Sequence, residues 1–254
     1  MNNKENNLML KNEYKIMYDA ENTHWWYIGL RYWLKKVLSK FINKNSIILD
    51  AGCGTGANMY LCKSLSYDLY GVDLSEEALK LTQNRGIEKK RLCCASVDKL
   101  PFKSECFDSV ISMDVLCILD EKQEKSTLLE FIRVLKKEGI LILNLPAFSW
   151  LEGEHDQAVS TKHRYIINDI KDKLESLQFK IIRSEYRYLL FLPVLFIVRL
   201  IRFKKKDKTR ARSDLTVNCR IINFFFKIIV YLDEFIGNNI SRPFGTSVSI
   251  VAQK

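Results

Sequence analysis

Three glycines at alternate positions follow a short apolar run, and this turn limits the possible folds more than any other feature of the chain. The segment is IILDAGCGTG, residues 47–56, and a helical pattern begins at residue 57. Glycine lets the chain turn sharply, and it lets a ligand lie against the main chain beside a helix N-terminus. The turn therefore predicts a buried strand, a ligand-binding loop and a helix, as in open α/β sheets.

Short β-branched runs alternate with helical patterns along the rest of the chain. Apolar strands separated by helices indicate a parallel sheet that is covered on both faces. We predict an α/β fold with a doubly wound, seven-stranded, mostly parallel, Rossmann-like sheet, N-terminal helices and a helical insert before the last strand. The predicted strands are residues 46–50, 67–73, 91–97, 107–113, 139–145, 179–188 and 245–253, and the predicted helices are 8–42, 57–66, 75–84, 121–135, 166–177 and 221–236.

The same patterns divide the chain into predicted regions. An N-terminal helical cap takes residues 1–45, and the ligand-binding core takes 46–188. About sixty residues between the last two strands are too many for a plain connection, so 189–243 is an apolar and basic helical insert. Residues 244–254 return as the last strand of the core sheet.

The net charge of +10 lies almost entirely near the C-terminus. Residues 1–185 hold 27 Lys and Arg against 26 Asp and Glu, whereas residues 186–254 hold 13 against 4, a net of +9. A protein that grips nucleic acid along its whole surface would carry the excess on its core as well. The charge therefore belongs to the insert.

The cysteines and the N-terminus favour a cytoplasmic protein. The seven cysteines are odd in number and form no C-x-x-C pair, so neither a disulfide framework nor a metal site is expected. The first residues are polar and mixed in charge, without the apolar run of a signal peptide.

The spacing of the glycines separates two classes of ligand. Nicotinamide dinucleotide binders have G-x-G-x-x-G, with the third glycine one position later. This chain has D-x-G-x-G-x-G, which resembles motif I of the class I S-adenosylmethionine (SAM)-dependent methyltransferases. In that family the loop holds the amino-acid end of SAM, and the resemblance implies cofactor contacts from Asp50, Gly52, Cys53, Gly54 and Gly56.

The resemblance continues through the acids that follow later strands. Asp73 with Leu74 matches the family's acid that binds both ribose hydroxyls, and a carboxylate offers two acceptors to two such donors. Asp98, with Val97 beside it, matches the acid near the adenine amino group. Asp114 matches motif IV, which faces the methyl donor.

The flanking segments resemble a narrower group, the type 11 and type 12 methyltransferase domains. The matching residues are His24-Trp25-Trp26 with Arg31, Pro146-Ala147 with Leu151, His155-Asp156, His163-Arg164-Tyr165 and Pro243-Phe244-Gly245-Thr246-Ser247. Trp26 and Arg31 are candidates to close over SAM and pair with its carboxylate, and packing of the N-terminal helix is an equal alternative. His155 is the candidate general base, with Asp156 as its orienting carboxylate.

The acceptor follows less directly from the sequence. Members of the resembled group are thought to act on glycans or lipid-linked saccharides, so the leading hypothesis is a small-molecule, glycan or lipid-linked acceptor. The apolar run Leu189–Val198, the basic run Lys204–Arg212 and the apolar helix Ile221–Ile236 suggest peripheral contact of 189–236 with an anionic inner membrane face. Alternatives are an RNA methyltransferase, disfavoured by the absence of an N-P-P-[FYW]-like tetrad, and a catalytically silent SAM-binding protein; the sequence leaves the oligomeric state open.

Overall fold

Seven strands form one sheet in a computed structural model that describes residues 11–153, 156, 159–193 and 220–254. The sheet order is β3-β2-β1-β4-β5-β7-β6; β1 to β5 are parallel, and β7 runs antiparallel to both of its neighbours. The predicted doubly wound, mostly parallel sheet is therefore confirmed. The strands are β1 (Ile47–Ala51), β2 (Asp68–Asp73), β3 (Leu92–Cys94), β4 (Phe107–Met113), β5 (Leu135–Pro146), β6 (Lys180–Arg187) and β7 (Ser247–Gln253).

Helices cover both faces of this sheet. Two hydrophobic clusters lie on its opposite faces, because apolar side chains of the central strands alternate between the two sides. Phe131 on one side and Trp33 on the other are almost completely buried. The helices are α1 (Lys11–Glu21), α2 (Trp25–Phe41), α3 (Ala57–Ser64), α4 (Glu76–Asn84), α5 (Glu121–Val134), α6 (Ile167–Ser176) and α7 (Arg220–Asn239).

The N-terminal segment is two helices rather than the single helix predicted over residues 8–42. The chain leaves helical geometry after Glu21, and His24 caps α2 by accepting a hydrogen bond at Nδ1 from the Trp26 amide. An imidazole that accepts at a helix N-terminus satisfies one of its free N–H groups. The break turns α2 onto the sheet and leaves α1 beside α4, next to the glycine turn.

Other boundaries differ from prediction for local reasons. β3 has three residues instead of seven, because the chain leaves the sheet after Cys94. β5 begins at Leu135, directly after α5, and is longer than predicted. In the insert, a 3₁₀ turn covers Leu189–Phe191 and α7 confirms the second apolar helix, while the basic run Lys204–Arg212 lies outside the described residues.

Candidate active site

The glycine turn follows β1 and has the geometry that only glycine adopts without strain. Gly52, Gly54 and Gly56 have φ of +82°, +53° and +81°. The amides of Gly52 and Cys53 both donate to the Val72 carbonyl, which ties the turn to β2. A Cβ on Gly52 would lie 2.3 Å from a methyl group of Val115, so this position also lacks space for a side chain.

Asp73 connects the end of β2 to the turn. One carboxylate oxygen accepts from the Gly54 amide at 2.9 Å, and the other accepts from the Ser75 amide at 2.9 Å. Burial raises the pKa of this carboxyl group, although the amide bonds favour its ionised form. A carboxylate has about four acceptor positions, so each oxygen can accept a further bond from a ligand hydroxyl.

Asp50 is a buried acid without a partner. Its side chain is 2% exposed, and neither carboxylate oxygen has a hydrogen bond. Burial, together with the charges of Asp73 and Glu21, raises the pKa of Asp50 to about 8. Buried polar groups in folded proteins are almost always hydrogen-bonded, so an unpartnered carboxyl group beside this turn indicates that a ligand donor belongs there.

Asp114 stands at the end of β4 in a polar chain of side chains. Its φ is +55°, and its two carboxylate oxygens accept from Nδ2 of Asn144 at 3.1 Å each. Oδ1 of Asn144 in turn accepts from the Ser249 hydroxyl at 3.0 Å. Burial raises the pKa of Asp114 to about 7, against the bonds from Asn144 and the nearby charge of Arg164. The group therefore changes protonation state near neutral pH.

The remaining predicted contacts lie at the same edge of the sheet. Because β1 to β4 are parallel, the residues after each strand meet at their carboxyl ends. Cys53 and Val97 are buried, whereas Leu74 and Asp98 are half-buried. The structure thus places the segments after β1, β2, β3 and β4 together, and each residue's contact with a cofactor stays a prediction.

A buried network links the helical cap to the glycine turn, and no sequence pattern predicted it. The Glu21 carboxylate accepts from the Thr55 hydroxyl and from Nη2 of Arg85, the latter at 2.6 Å. Arg85 also donates to the Thr55 carbonyl at 2.7 Å, and Arg31 donates to the Glu21 carbonyl. Glu21 and Arg85 belong to no motif and lie far apart in the chain, so only the tertiary structure reveals that they connect the cap to Thr55.

The aromatic residues before Arg31 pack against the C-terminal helix. Trp25 stacks on Phe191 with ring centres 4.1 Å apart, and it meets Phe226 of α7 edge to face. The carbonyl of Trp26 accepts from the Tyr188 hydroxyl at 3.2 Å. Trp25 therefore packs α2 onto the molecule, and contacts of Trp26 and Arg31 with a cofactor remain predictions.

The two predicted catalytic residues follow β5. His155 lies outside the described residues. Asp156 is buried and receives two bonds from Arg164, at 3.0 and 2.9 Å, together with one from the Gly153 amide. This ion pair shapes the loop after β5, and an orienting role toward His155 stays a prediction. In the same loop, Nε2 of His163 is buried without a hydrogen-bond partner.

Comparisons with known proteins agree with this geometry. Residues 49–143 match a methyltransferase domain family. A SAM-dependent methyltransferase from Thermotoga maritima has the same fold, with a TM-score of 0.59 and 18% identity over 96% of this chain and 95% of that one. The chain therefore contains a domain of the methyltransferase family, with the fold of the class I SAM-dependent methyltransferases.

Two curated relatives extend the comparison. A tRNA (carboxymethyluridine(34)-5-O)-methyltransferase of Arabidopsis thaliana is 30% identical over 148 residues, 58% of this chain and 34% of that protein. An uncharacterised protein of Methanocaldococcus jannaschii is 33% identical over 162 residues, 63% of this chain and 66% of that protein. The chain spans less than half the length of several other relatives, including 45% and 49% of two of them.

The cofactor of this methyltransferase domain is SAM, and three features of the site fit it. The glycine turn has no side chain at three alternate positions, Asp73 keeps acceptors for the ribose hydroxyls, and Asp50 is a buried carboxyl group without a donor of its own. The ammonium group of SAM is such a donor. Among the residues that the structure describes, no group of side chains could hold a metal ion.

Asp50 makes the stability of the methyltransferase depend on pH. Its pKa is about 8 in the folded chain, against an ordinary value of 3.8, so between these values the unfolded state binds fewer protons. The free energy of unfolding is therefore expected to fall as pH rises through this range, by at most about 1.4 kcal/mol per pH unit for this group. Asp50→Asn should remove this contribution to the pH dependence of the free energy of unfolding. It should also weaken SAM binding at least tenfold, because an amide offers no negative charge. Thermal unfolding against pH and calorimetric titration with SAM measure the two effects.

Asp169→Asn is the matched control for this experiment. It makes the same chemical change at an exposed carboxylate in the first turn of α6, and it should leave both quantities unchanged. If Asp50→Asn keeps the slope and the SAM affinity of the wild type, Asp50 does not have the role given to it here.

Proposed function

We propose that this methyltransferase transfers the methyl group of SAM to a small-molecule, glycan or lipid-linked acceptor at the carboxyl edge of the sheet. The observation that carries the SAM-dependent part of the proposal is the unpartnered buried Asp50 beside a glycine turn that Asp73 holds in place. SAM, when bound, supplies a methyl group on a positively charged sulfur that a nucleophile can attack. The protein must then align the acceptor, exclude water and accept a proton where the acceptor requires it.

The residues divide these tasks by their position. Asp73 and the glycine turn hold the nucleoside and the amino-acid end of SAM, and Asp50 balances the ammonium group. Asp114 follows the neighbouring strand and is the described side chain best suited to accept a proton, because its pKa lies near 7. His155 remains the second candidate base; full turnover in His155→Ala would exclude it.

Exposed aromatic rings beside β5 support an acceptor with a flat or ring-shaped group. Trp150 is 59% exposed and Phe244 is 52% exposed, and both contact the ring of Phe148. Phe148 follows the end of β5 and stacks on Tyr186 with ring centres 4.9 Å apart. Such rings bind sugar faces and nucleobases alike, so this surface supports a glycan acceptor without excluding RNA.

RNA is the second candidate acceptor. The relative from Arabidopsis thaliana is named as a tRNA methyltransferase, and the basic run Lys204–Arg212 offers charge for phosphate contacts. These two observations weigh against the sequence-based expectation that nucleic acid is a disfavoured partner. The near-neutral charge of residues 1–185 still favours the first candidate.

Incubation with methyl-labelled SAM and separate fractions of lipids, glycans and RNA tests the proposal. Label in the lipid or glycan fraction supports it, and label in the RNA fraction with salt-sensitive RNA binding establishes the second candidate. If no fraction is labelled although SAM binds, the chain is a SAM-binding protein without transferase activity. A Gly52→Val variant, which cannot hold the turn, is the background control.

A further inference from the structure

Helix α7 has the reverse of the usual polarity, with its apolar side facing outward. A helix on the surface of a globular protein normally buries its apolar stripe and exposes its charges. Here eight large apolar residues of α7 are between 41% and 68% exposed, and they recur at the spacing of one helix face. They are Ile221, Ile222, Phe224, Phe225, Ile228, Tyr231, Leu232 and Phe235.

The inner side of the same helix packs Val230 and Phe226 against the protein, and it also carries polar side chains that are bound there. Asp233 pairs with Arg242 at 2.7 Å, and Glu234 pairs with Arg187 at 2.8 Å; all four side chains are buried. Asn223 accepts from the Trp25 amide at 2.9 Å and also donates to the cap. These bonds fix the orientation of α7, so its apolar side cannot turn inward without breaking two buried ion pairs.

A cationic groove adjoins the apolar side of α7. Tyr231 of α7 contacts Tyr32 of α2 edge to face, with ring centres 5.1 Å apart. Tyr32 is one of the residues that line a groove of about 880 Å³. Lys35, Lys36 and Lys40 line this groove, and α2 contains no acidic residue. The outward surface of the two helices therefore combines aromatic and aliphatic side chains with positive charge.

We propose that this outward surface of α7 and α2 docks on an anionic phospholipid bilayer, with α7 lying in the plane of the interface. Apolar and aromatic side chains enter the boundary between headgroups and acyl chains, and the lysines of α2 face the lipid phosphates. Asp233 and Glu234 are paired within the protein and stay on the side away from the lipid. No helix that the structure describes is long and apolar enough to cross a membrane.

The positive charge of this surface favours an anionic bilayer over a second copy of the chain as its occupant. A symmetric dimer through α7 would bring the lysines of both copies to one interface, where they would repel each other. The same charges attract a negatively charged bilayer, each more strongly at low salt.

Flotation of the full-length protein with vesicles tests the proposal. The wild type should float with vesicles of phosphatidylcholine mixed with phosphatidylglycerol and stay at the bottom with phosphatidylcholine alone. Phe224→Ser with Phe235→Ser should raise the lipid concentration for half-maximal binding roughly thirtyfold, because two large rings no longer leave water. Lys35→Glu with Lys40→Glu should raise it about tenfold or more and reduce the dependence on salt.

Matched substitutions elsewhere on the surface provide the controls. Tyr60→Ser with Leu129→Ser removes two exposed apolar side chains from α3 and α5, and Lys122→Glu with Lys125→Glu reverses two exposed lysines of α5. Both should bind vesicles as the wild type does, and unchanged SAM affinity shows that every variant is folded. A wild type that ignores anionic vesicles overturns the proposal, as does a dimer in solution that Phe224→Ser with Phe235→Ser converts to monomers. Neither result bears on methyl transfer.

Discussion

Replacing Arg187 with methionine is expected to lower the free energy of unfolding by about 3–5 kcal/mol. The Arg187 side chain is completely buried; its Nε donates to Glu234 at 2.8 Å, and Nη2 donates to the Gly29 carbonyl at 3.0 Å. Its guanidinium also lies over the ring of Trp33, 4.9 Å from the ring centre. Without the arginine, the carboxylate of Glu234 stays buried with no opposite charge, and α7 loses an ion pair to β6.

Urea unfolding of the wild type and the variant measures this effect, and two further variants interpret it. Arg91→Met removes a surface arginine that pairs with Asp68 at 2.7 Å, and it should cost less than about 1 kcal/mol. Arg187→Met combined with Glu234→Leu removes both charges and should recover most of the loss. An Arg187→Met variant no less stable than Arg91→Met would show that the buried pair does not hold α7 in place.

The sheet could be predicted from the sequence because its strands carry strong local signals. β4 is predicted at Phe107–Met113 and found there, since its β-branched, apolar run is bounded by polar residues on both sides. The glycine turn is equally well specified, because the positive φ values at Gly52 and Gly56 strongly favour glycine. The parallel pairing of the strands follows from these units, since parallel strands need helical crossovers.

The breaks and attachments of the N-terminal helices could not be predicted in this way. Residues on both sides of Asn22–His24 favour a helix, so the pattern shows no interruption. At the break, Glu21 binds Thr55 and Arg85, residues more than thirty positions away. Such contacts leave no periodic signal in the sequence.

The orientation of α7 shows a related limit. Its sequence indicates an apolar helix, and a surface helix normally packs its apolar side chains against the core. The decisive residues are two acids, Asp233 and Glu234, whose partners Arg242 and Arg187 lie outside the helix. Charged residues of a helix can face inward only where residues of opposite charge pair with them. Such pairing is visible only in the folded chain.

Asp114→Asn is expected to lower turnover by about two to three orders of magnitude with an acceptor whose methylation releases a proton. Only the ionised form of Asp114 accepts a proton, and its pKa in the protein without cofactor is about 7. The wild-type kcat/KM should therefore rise with pH and level off above the pKa of Asp114. In the SAM complex this pKa should lie below 7, because the positive charge of SAM favours the carboxylate. The asparagine variant has a side chain of the same size and can still accept a hydrogen bond from Asn144. It cannot titrate, so its pH profile of kcat/KM should be flat over this range.

The comparison of binding with turnover decides what Asp114 does. A loss in kcat with an unchanged Kd for SAM identifies the proton acceptor, whereas an equal loss in both assigns Asp114 to cofactor binding alone.

Asp108→Asn is the matched control: Asp108 stands at the opposite end of β4, pairs with Lys136 at 2.7 Å, and lies away from the carboxyl edge of the sheet. That variant should turn over within about twofold of the wild type, since no proton transfer passes through it. If Asp114→Asn retains the wild-type rate and pH profile, the proton leaves by another route, and His155 becomes the residue to replace next.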